Sequence, residues 1–239
     1  MKKTNKFQYG QTTEEMNYWI KNRSILADLY KSEKYFFEKI LPNVGSVLDI
    51  GCAAGGSALF CREIRTNLQY FGIDVSSNLI DIAKKRFAES KYTSFFHYDG
   101  ETIPFEDSTI EFVFSFGVFH HLINWKELIA EALRVSSKYF LFDIRCWQNS
   151  SIVDGQTSFQ KLALSGEWDQ KSTIPYNLIS FNELLDFLKN FKSAGHNVNV
   201  FGYWGKPTSL AVTPANEVLM TSILIEKNSI LPEIHMVLE

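Results

Sequence analysis

Five short runs rich in β-branched and aromatic residues, at 46–50, 69–74, 94–98, 111–116 and 138–143, alternate with spans of helical or loop character. That alternation is what most limits the folds open to this chain. It predicts a parallel sheet with helices on both faces. Ile80, Ala83 and Phe87 recur at helical spacing after Ser77, read as an N-cap, and Lys84, Lys85 and Arg86 stand at the end where cations suit the helix dipole. Asn124 with Glu127 reads as a capping box before the apolar face Trp125, Leu128, Ile129, Ala132 and Leu133. Ser180 with Glu183 repeats the signature before Leu184, Leu185, Leu188 and Phe191, and 197–203 and 217–226 read as two closing strands. Between them, 144–179 is polar with scattered rings, Trp147, Phe159, Trp168 and Tyr176 among them. It is much longer than an ordinary strand-to-helix connection and begins at the edge where ligands bind, so it reads as an acceptor-side cap.

The chain of 239 residues suits one α/β domain with a core that needs neither metal nor disulfide. The boundaries read as an N-terminal helical segment at 1–42, a ligand-binding core at 43–143, the cap at 144–179, and a closing helix and strands at 180–227. A net charge of −3 gives no general attraction to nucleic acid or to anionic lipid. No window has the length and hydrophobicity of a membrane span, and the polar residues 8–17 stand where a signal peptide would need an apolar stretch. A cytoplasmic location is therefore expected, with oligomeric state open. Cys52, Cys61 and Cys146 are odd in number and lack metal-ligand spacing, so they read as reduced thiols, and no metal is expected.

The sharpest local feature is "VLDIGCAAGG" at 47–56, in which a carboxylate, Asp49, sits almost inside an apolar run. A buried carboxylate needs a hydrogen-bond donor or a cation. A strand, a glycine-containing turn and a helix starting near Gly56 would turn backbone N–H groups toward a ligand, with Gly51 and Gly55 free to take unusual dihedrals; a plain tight turn is the bland alternative. Asp74 ends the next strand in "YFGIDVS", where a carboxylate can accept hydrogen bonds from ribose hydroxyls, or else cap the helix that follows. Asp99 stands beyond the third strand.

With "GIDVS", "DGETIPFEDSTIEFVFS", "GVFHHL" and "EALRV" following in order, 45–143 resembles a class I S-adenosylmethionine-dependent methyltransferase of the broad group that includes ubiquinone and menaquinone biosynthesis enzymes. The resemblance implies a doubly wound, mostly parallel, seven-stranded Rossmann-like sheet with an antiparallel final strand. It implies S-adenosylmethionine as cofactor and in-line methyl transfer to a small-molecule acceptor. It further implies that Asp49 and the loop Gly51, Cys52, Ala53 and Gly55 hold the methionine part and that Asp74 with Val75 meets the ribose. Asp99 and Gly100 would contact the adenine, with Ser115, Phe116 and Gly117 flanking. The N-terminal stretch "MNYWIKNRSILADLY" is similar to a segment that closes over the cofactor in some relatives, through Tyr18, Trp19 and Arg23; an amphipathic packing helix is the alternative.

Asp49 also separates this reading from a dinucleotide-dependent oxidoreductase: an acid suits the ammonium and sulfonium of S-adenosylmethionine and opposes a pyrophosphate. The loop lacks the third glycine of the dinucleotide fingerprint as well. Three departures from the family pattern stand out. Ala53 replaces a common glycine, Glu111 a common Asp, and Ser136-Ser137-Lys138 the usual Pro-Gly-Gly turn. His120 and His121 follow the fourth strand on the acceptor side, with His120 the candidate general base and loop packing the alternative; Asp143 and Arg145 leave the fifth. A cofactor-binding partner module without catalysis is the alternative of a different class.

Overall fold

The structure, a computed structural model, describes residues 13–21, 23–162 and 172–239. Its centre is one sheet. The strands that the alternation predicts are β1 (Ser46–Ile50), β2 (Gln69–Asp74), β3 (Thr93–His97), β4 (Ile110–Ser115) and β5 (Ser136–Trp147). They pair in parallel in the order β3-β2-β1-β4-β5. Short strands β6 (Phe159–Lys161), β7 (Thr173–Pro175) and β8 (Ile179–Ser180) follow, then β9 (Asn197–Gly205), β10 (Ala211–Val212), β11 (Val218–Glu226) and β12 (Ile234–Leu238). β11 inserts antiparallel between β5 and β9, which gives the expected seven-stranded order with its antiparallel last member. Two additions were not foreseen: β12 pairs in parallel with β9 at the edge, and β8 pairs with the end of β5.

Helices cover both faces. α1 (Thr13–Lys21), α2 (Lys31–Ile40), α3 (Gly56–Ile64), α4 (Ser77–Arg86), α5 (Trp125–Val135) and α6 (Phe181–Ser193) complete the chain. Successive strand residues point to opposite faces, so Val47 joins a core with Phe37, Phe60 and Phe112 under α2, α3 and α4, while Leu48 and Ile50 join Leu128, Ile129 and Leu184 under α5 and α6. The abundance of phenylalanine is mainly a core property. Phe37 is fully buried and meets Phe60, Phe112, Phe114 and Phe116 at ring separations of 5.1–5.7 Å; each such ring contributes about 1.5–3 kcal/mol by burial.

Three helix starts differ from the sequence expectation. Ser76, not Ser77, caps α4, its hydroxyl accepting from Leu79 N–H at 3.3 Å. Asn124 makes no side-chain cap on α5, because its ψ of 36° leaves the extended conformation that brings a cap oxygen to the first-turn amides. Ser180 does not cap α6 either. Glu183 is drawn away from a capping box by Lys126 Nζ at 2.6 Å and Ser151 Oγ at 2.5 Å, and so ties the starts of α5 and α6 together. At Ser136-Ser137-Lys138, which replace the Pro-Gly-Gly turn of the family pattern, α5 runs straight into β5. Lys227 Nζ donates to the carbonyls of Leu133 and Ser136, placing a cation at the helix C-terminus.

Candidate active site

The C-terminal ends of the parallel strands open into a cavity of about 1210 Å³. Its first wall is the β1–α3 turn. Gly51 adopts φ +80°, and a Cβ there would stand 2.4 Å from Val118 Cγ2, so both conformation and space demand glycine. Ala53 adopts φ +47° in the same turn, a left-handed conformation that costs a non-glycine residue roughly 1–2 kcal/mol. Its N–H donates to Asp74 Oδ2 at 2.9 Å, which holds the strained turn against the end of β2. Ala53→Gly should therefore raise apoprotein stability by about 1 kcal/mol in urea denaturation. Unchanged or lower stability would mean that the turn relaxes to φ < 0 in solution.

Asp49 has the partner that its burial requires. Register sets Val47 of β1 against Tyr70 of β2, and the Tyr70 hydroxyl donates to Asp49 Oδ2 at 2.5 Å. The carboxyl is 3% exposed, and burial raises its pKa to about 6 against the opposing pull of the Tyr70 and Ser57 hydroxyls. Asp74 accepts from the N–H groups of Ser76 and Ala53, at 2.8 and 2.9 Å, while burial pushes its pKa up. It is therefore not the α4 cap. Asp99, at the surface, accepts from Glu101 and Thr102 N–H, which hold its pKa below the ordinary range. The cavity thus has an acidic half, with Asp49, Asp74 and Asp99 along one wall.

The opposite half is built from segments far apart in sequence. Arg23, itself at φ +52°, gives both Nη atoms to Glu33 at 2.8 and 2.9 Å. Arg145 of β5 donates through Nη1 to Asp143 Oδ2 at 2.6 Å, and Asp143 Oδ1 accepts from Gly117 N–H at 2.6 Å. The Tyr30 ring lies by both guanidiniums, 5.7 Å from Arg23 and 5.2 Å from Arg145. His120 and His121 occupy a short 3-10 turn with rings 4.0 Å apart. The His121 Nδ1 lies 2.6 Å from the Pro175 carbonyl, which can only accept, so Nδ1 carries the proton and Nε2 the lone pair. Burial lowers the His121 pKa to about 4 and drives that of His120 well below its usual value.

Most residues singled out from the sequence meet here. Asp49, Gly51, Cys52, Ala53, Asp74, Val75, Asp99, Gly100, Phe116, Gly117, Tyr18, Trp19, Arg23 and His120 all line the cavity. Gly55 and Ser115 are not among the lining residues: Gly55 faces the rings of Phe95 and Phe87, and Ser115 is buried with its hydroxyl donating to the Ile50 carbonyl. Both support the turn from behind. The cap contributes Gln160, Leu162, Ile174 and Tyr176, and β6, β7 and β10 form a small antiparallel sheet at this edge. Trp147 does not roof the cavity as expected; its indole N–H donates to the Ser150 carbonyl and its ring packs on the cluster around Tyr176 and Val218. Trp168 lies outside the described residues. Tyr30, the last residue of the N-terminal stretch but not singled out within it, lines the cavity, as does Met220, for which the sequence carried no signal; Ser57 follows from its place in the first turn of a helix aimed at a ligand.

The methyltransferase domain family matches residues 48–139. An uncharacterized protein of Methanocaldococcus jannaschii is 25% identical over 195 residues, 81% of this chain and 85% of that protein. Phthiotriol/phenolphthiotriol dimycocerosates methyltransferase of Mycobacterium tuberculosis is 28% identical over 89 residues, 37% of this chain and 33% of its own length. Among solved structures, an S-adenosylmethionine-dependent methyltransferase from Methanosarcina mazei superposes with a TM-score of 0.57 at 18% identity, over 84% of this chain and 99% of that one.

Proposed function

We propose that the chain is a class I S-adenosylmethionine-dependent methyltransferase and that it methylates a small molecule held in the half of the cavity formed by Arg23, Tyr30, His121, Arg145 and Tyr176. The observation that carries this reading is the size and division of the cavity. At about 1210 Å³ it exceeds the roughly 300–1,000 Å³ of a single-ligand pocket, and one half is acidic while the other is aromatic with paired charges. A cavity of that kind suits a cofactor and an organic acceptor side by side.

The residues of the acidic half fit S-adenosylmethionine. Asp49 would receive the ammonium, Asp74 the ribose hydroxyls, and Asp99 the adenine edge, with Phe116 and Val118 as apolar walls. When bound, the cofactor supplies an electrophilic methyl group on a positive sulfur that is already a good leaving group. What remains for the protein is to align the acceptor and exclude water. Tyr30, packed by two guanidiniums, and the Arg23–Glu33 pair position the walls of that half. The two imidazoles are neutral near pH 7 and only weakly basic, so we assign them to shaping and orienting the acceptor pocket rather than to proton abstraction by His120.

Isothermal titration calorimetry tests the reading. S-adenosylmethionine and S-adenosylhomocysteine should each bind one per chain, with NAD binding at least about 100-fold weaker, since a pyrophosphate would face Asp49 and Asp74. Comparable NAD binding would sink it.

A further inference from the structure

Arg145 is over-supplied with donors. It is 3% exposed and lines the cavity; its Nη1 donates to Asp143 Oδ2, and the Tyr176 hydroxyl stands within its hydrogen-bonding reach, which leaves part of a five-donor fork turned to the cavity. Arg23 differs, because both of its Nη atoms are spent on Glu33. A phenol stands beside Arg145. Tyr176 is 1% exposed, and its hydroxyl, which no protein acceptor takes, lies close enough to Arg145 for the guanidinium's charge and hydrogen bonding to pull its pKa down against burial. His120, 4% exposed, packs its ring 5.6 Å from Tyr176 and leaves Nδ1 without a partner, 3.9 Å from Asp143 Oδ2. Three elements distant in sequence thus bring a fork of N–H groups, a phenol and an imidazole together at the cavity.

We infer that Arg145 and Tyr176 form the docking point for a carboxylate carried by the methyl acceptor, an inference that rests on the methyl-transfer reading. The guanidinium's planar fork matches a carboxylate, which can take two N–H bonds at once. Charge decides against a phosphate. A dianion would bring two negative charges to a guanidinium already paired with Asp143, with Glu33 close by, whereas a carboxylate brings one. The remainder of the acceptor half is organic in character, with Tyr30, Leu162, Ile174 and Met220 on its walls. The acceptor class is therefore a small carboxylic acid with an apolar body.

The test uses benzoate and hexanoate, each against its neutral amide, titrated into the full chain with and without saturating S-adenosylhomocysteine and followed by saturation-transfer NMR. The expected result is that at least one acid binds in both states, about tenfold or more tighter than its amide. Tyr176→Phe, which removes a hydroxyl that no protein acceptor takes and keeps the buried ring, should fold normally and should weaken that acid by about fivefold or more while leaving its amide unchanged. Arg145→Lys should erase the preference for acid over amide. Equal binding of acids and amides, or no acid binding at all, overturns the inference. So does acid binding that S-adenosylhomocysteine abolishes, because the site would then belong to the cofactor's own carboxylate. Failure of S-adenosylhomocysteine to bind, with acid binding intact, would remove the methyl-transfer reading instead.

Discussion

Asp49→Asn should make the apoprotein more stable and nearly blind to its cofactor. Burial raises the Asp49 carboxyl from the ordinary 3.8 to about 6, so holding it ionised at pH 7 costs the folded state about 3 kcal/mol relative to the unfolded chain. The sign follows from the raised value: the group's contribution to stability is fully present below the unfolded pKa and is lost as pH rises through about 6. Asparagine imitates the protonated form at every pH and can still accept from Tyr70. Urea denaturation should therefore show a gain of up to about 3 kcal/mol at pH 7 and little difference near pH 4. Cofactor affinity should move the other way, by about 100-fold or more, because the ammonium would lose a buried counter-ion. Wild-type affinity should also weaken as pH falls below about 6, with binding releasing a proton. A variant that is less stable, or that binds S-adenosylhomocysteine normally, would show that Asp49 serves the turn alone.

The second large effect concerns the pair Arg23–Glu33. The Glu33 side chain is fully buried, and burial raises its pKa while Arg23 lowers it. Arg23→Met removes the counter-ion and leaves Glu33 only the Tyr30 N–H at 2.9 Å. The expected cost is about 3–5 kcal/mol at pH 8 in the apoprotein. A carboxyl with a further raised pKa favours folding only when protonated, so the penalty should shrink as pH falls toward 5. Arg23→Met combined with Glu33→Leu should recover most of the loss, since no unpaired charge is left behind. A single variant within about 0.5 kcal/mol of wild type would mean that the pair is open to water in solution and of no more weight than a surface salt bridge.

The two predictions differ in how far the sequence alone could reach them. That Asp49 is buried and needs a partner follows from an acid inside an apolar run, and the order of strands and helices follows from their periodicity. Those are local properties: side-chain alternation and helical spacing are set by bond geometry within a few residues. The carboxylates ending β1 and β2 were legible for the same reason, because a strand's end fixes which edge of the sheet its last residues reach.

Which group answers Asp49 is not a local property. Tyr70 reaches it only because β1 and β2 pair in parallel with Val47 against Tyr70, and a shift of one residue would send that phenol to the other face. Capping shows the same limit on a smaller scale: the pattern of Asn124 and Glu127 is present, but the ψ of Asn124 is set by the packing of the turn before it, and no cap forms. Arg23, Tyr30, Arg145 and Tyr176 come from an N-terminal segment, the longest strand and the cap. Their meeting depends on the chain path across the top of the sheet. The sequence by itself determined the succession of strands and helices and the strand ends at which the acids stand, because these rest on interactions between near neighbours, while the order of the sheet was reached through the family resemblance. Only the tertiary structure decided the other half, because ion pairs and orphaned donors are properties of what faces a side chain across space.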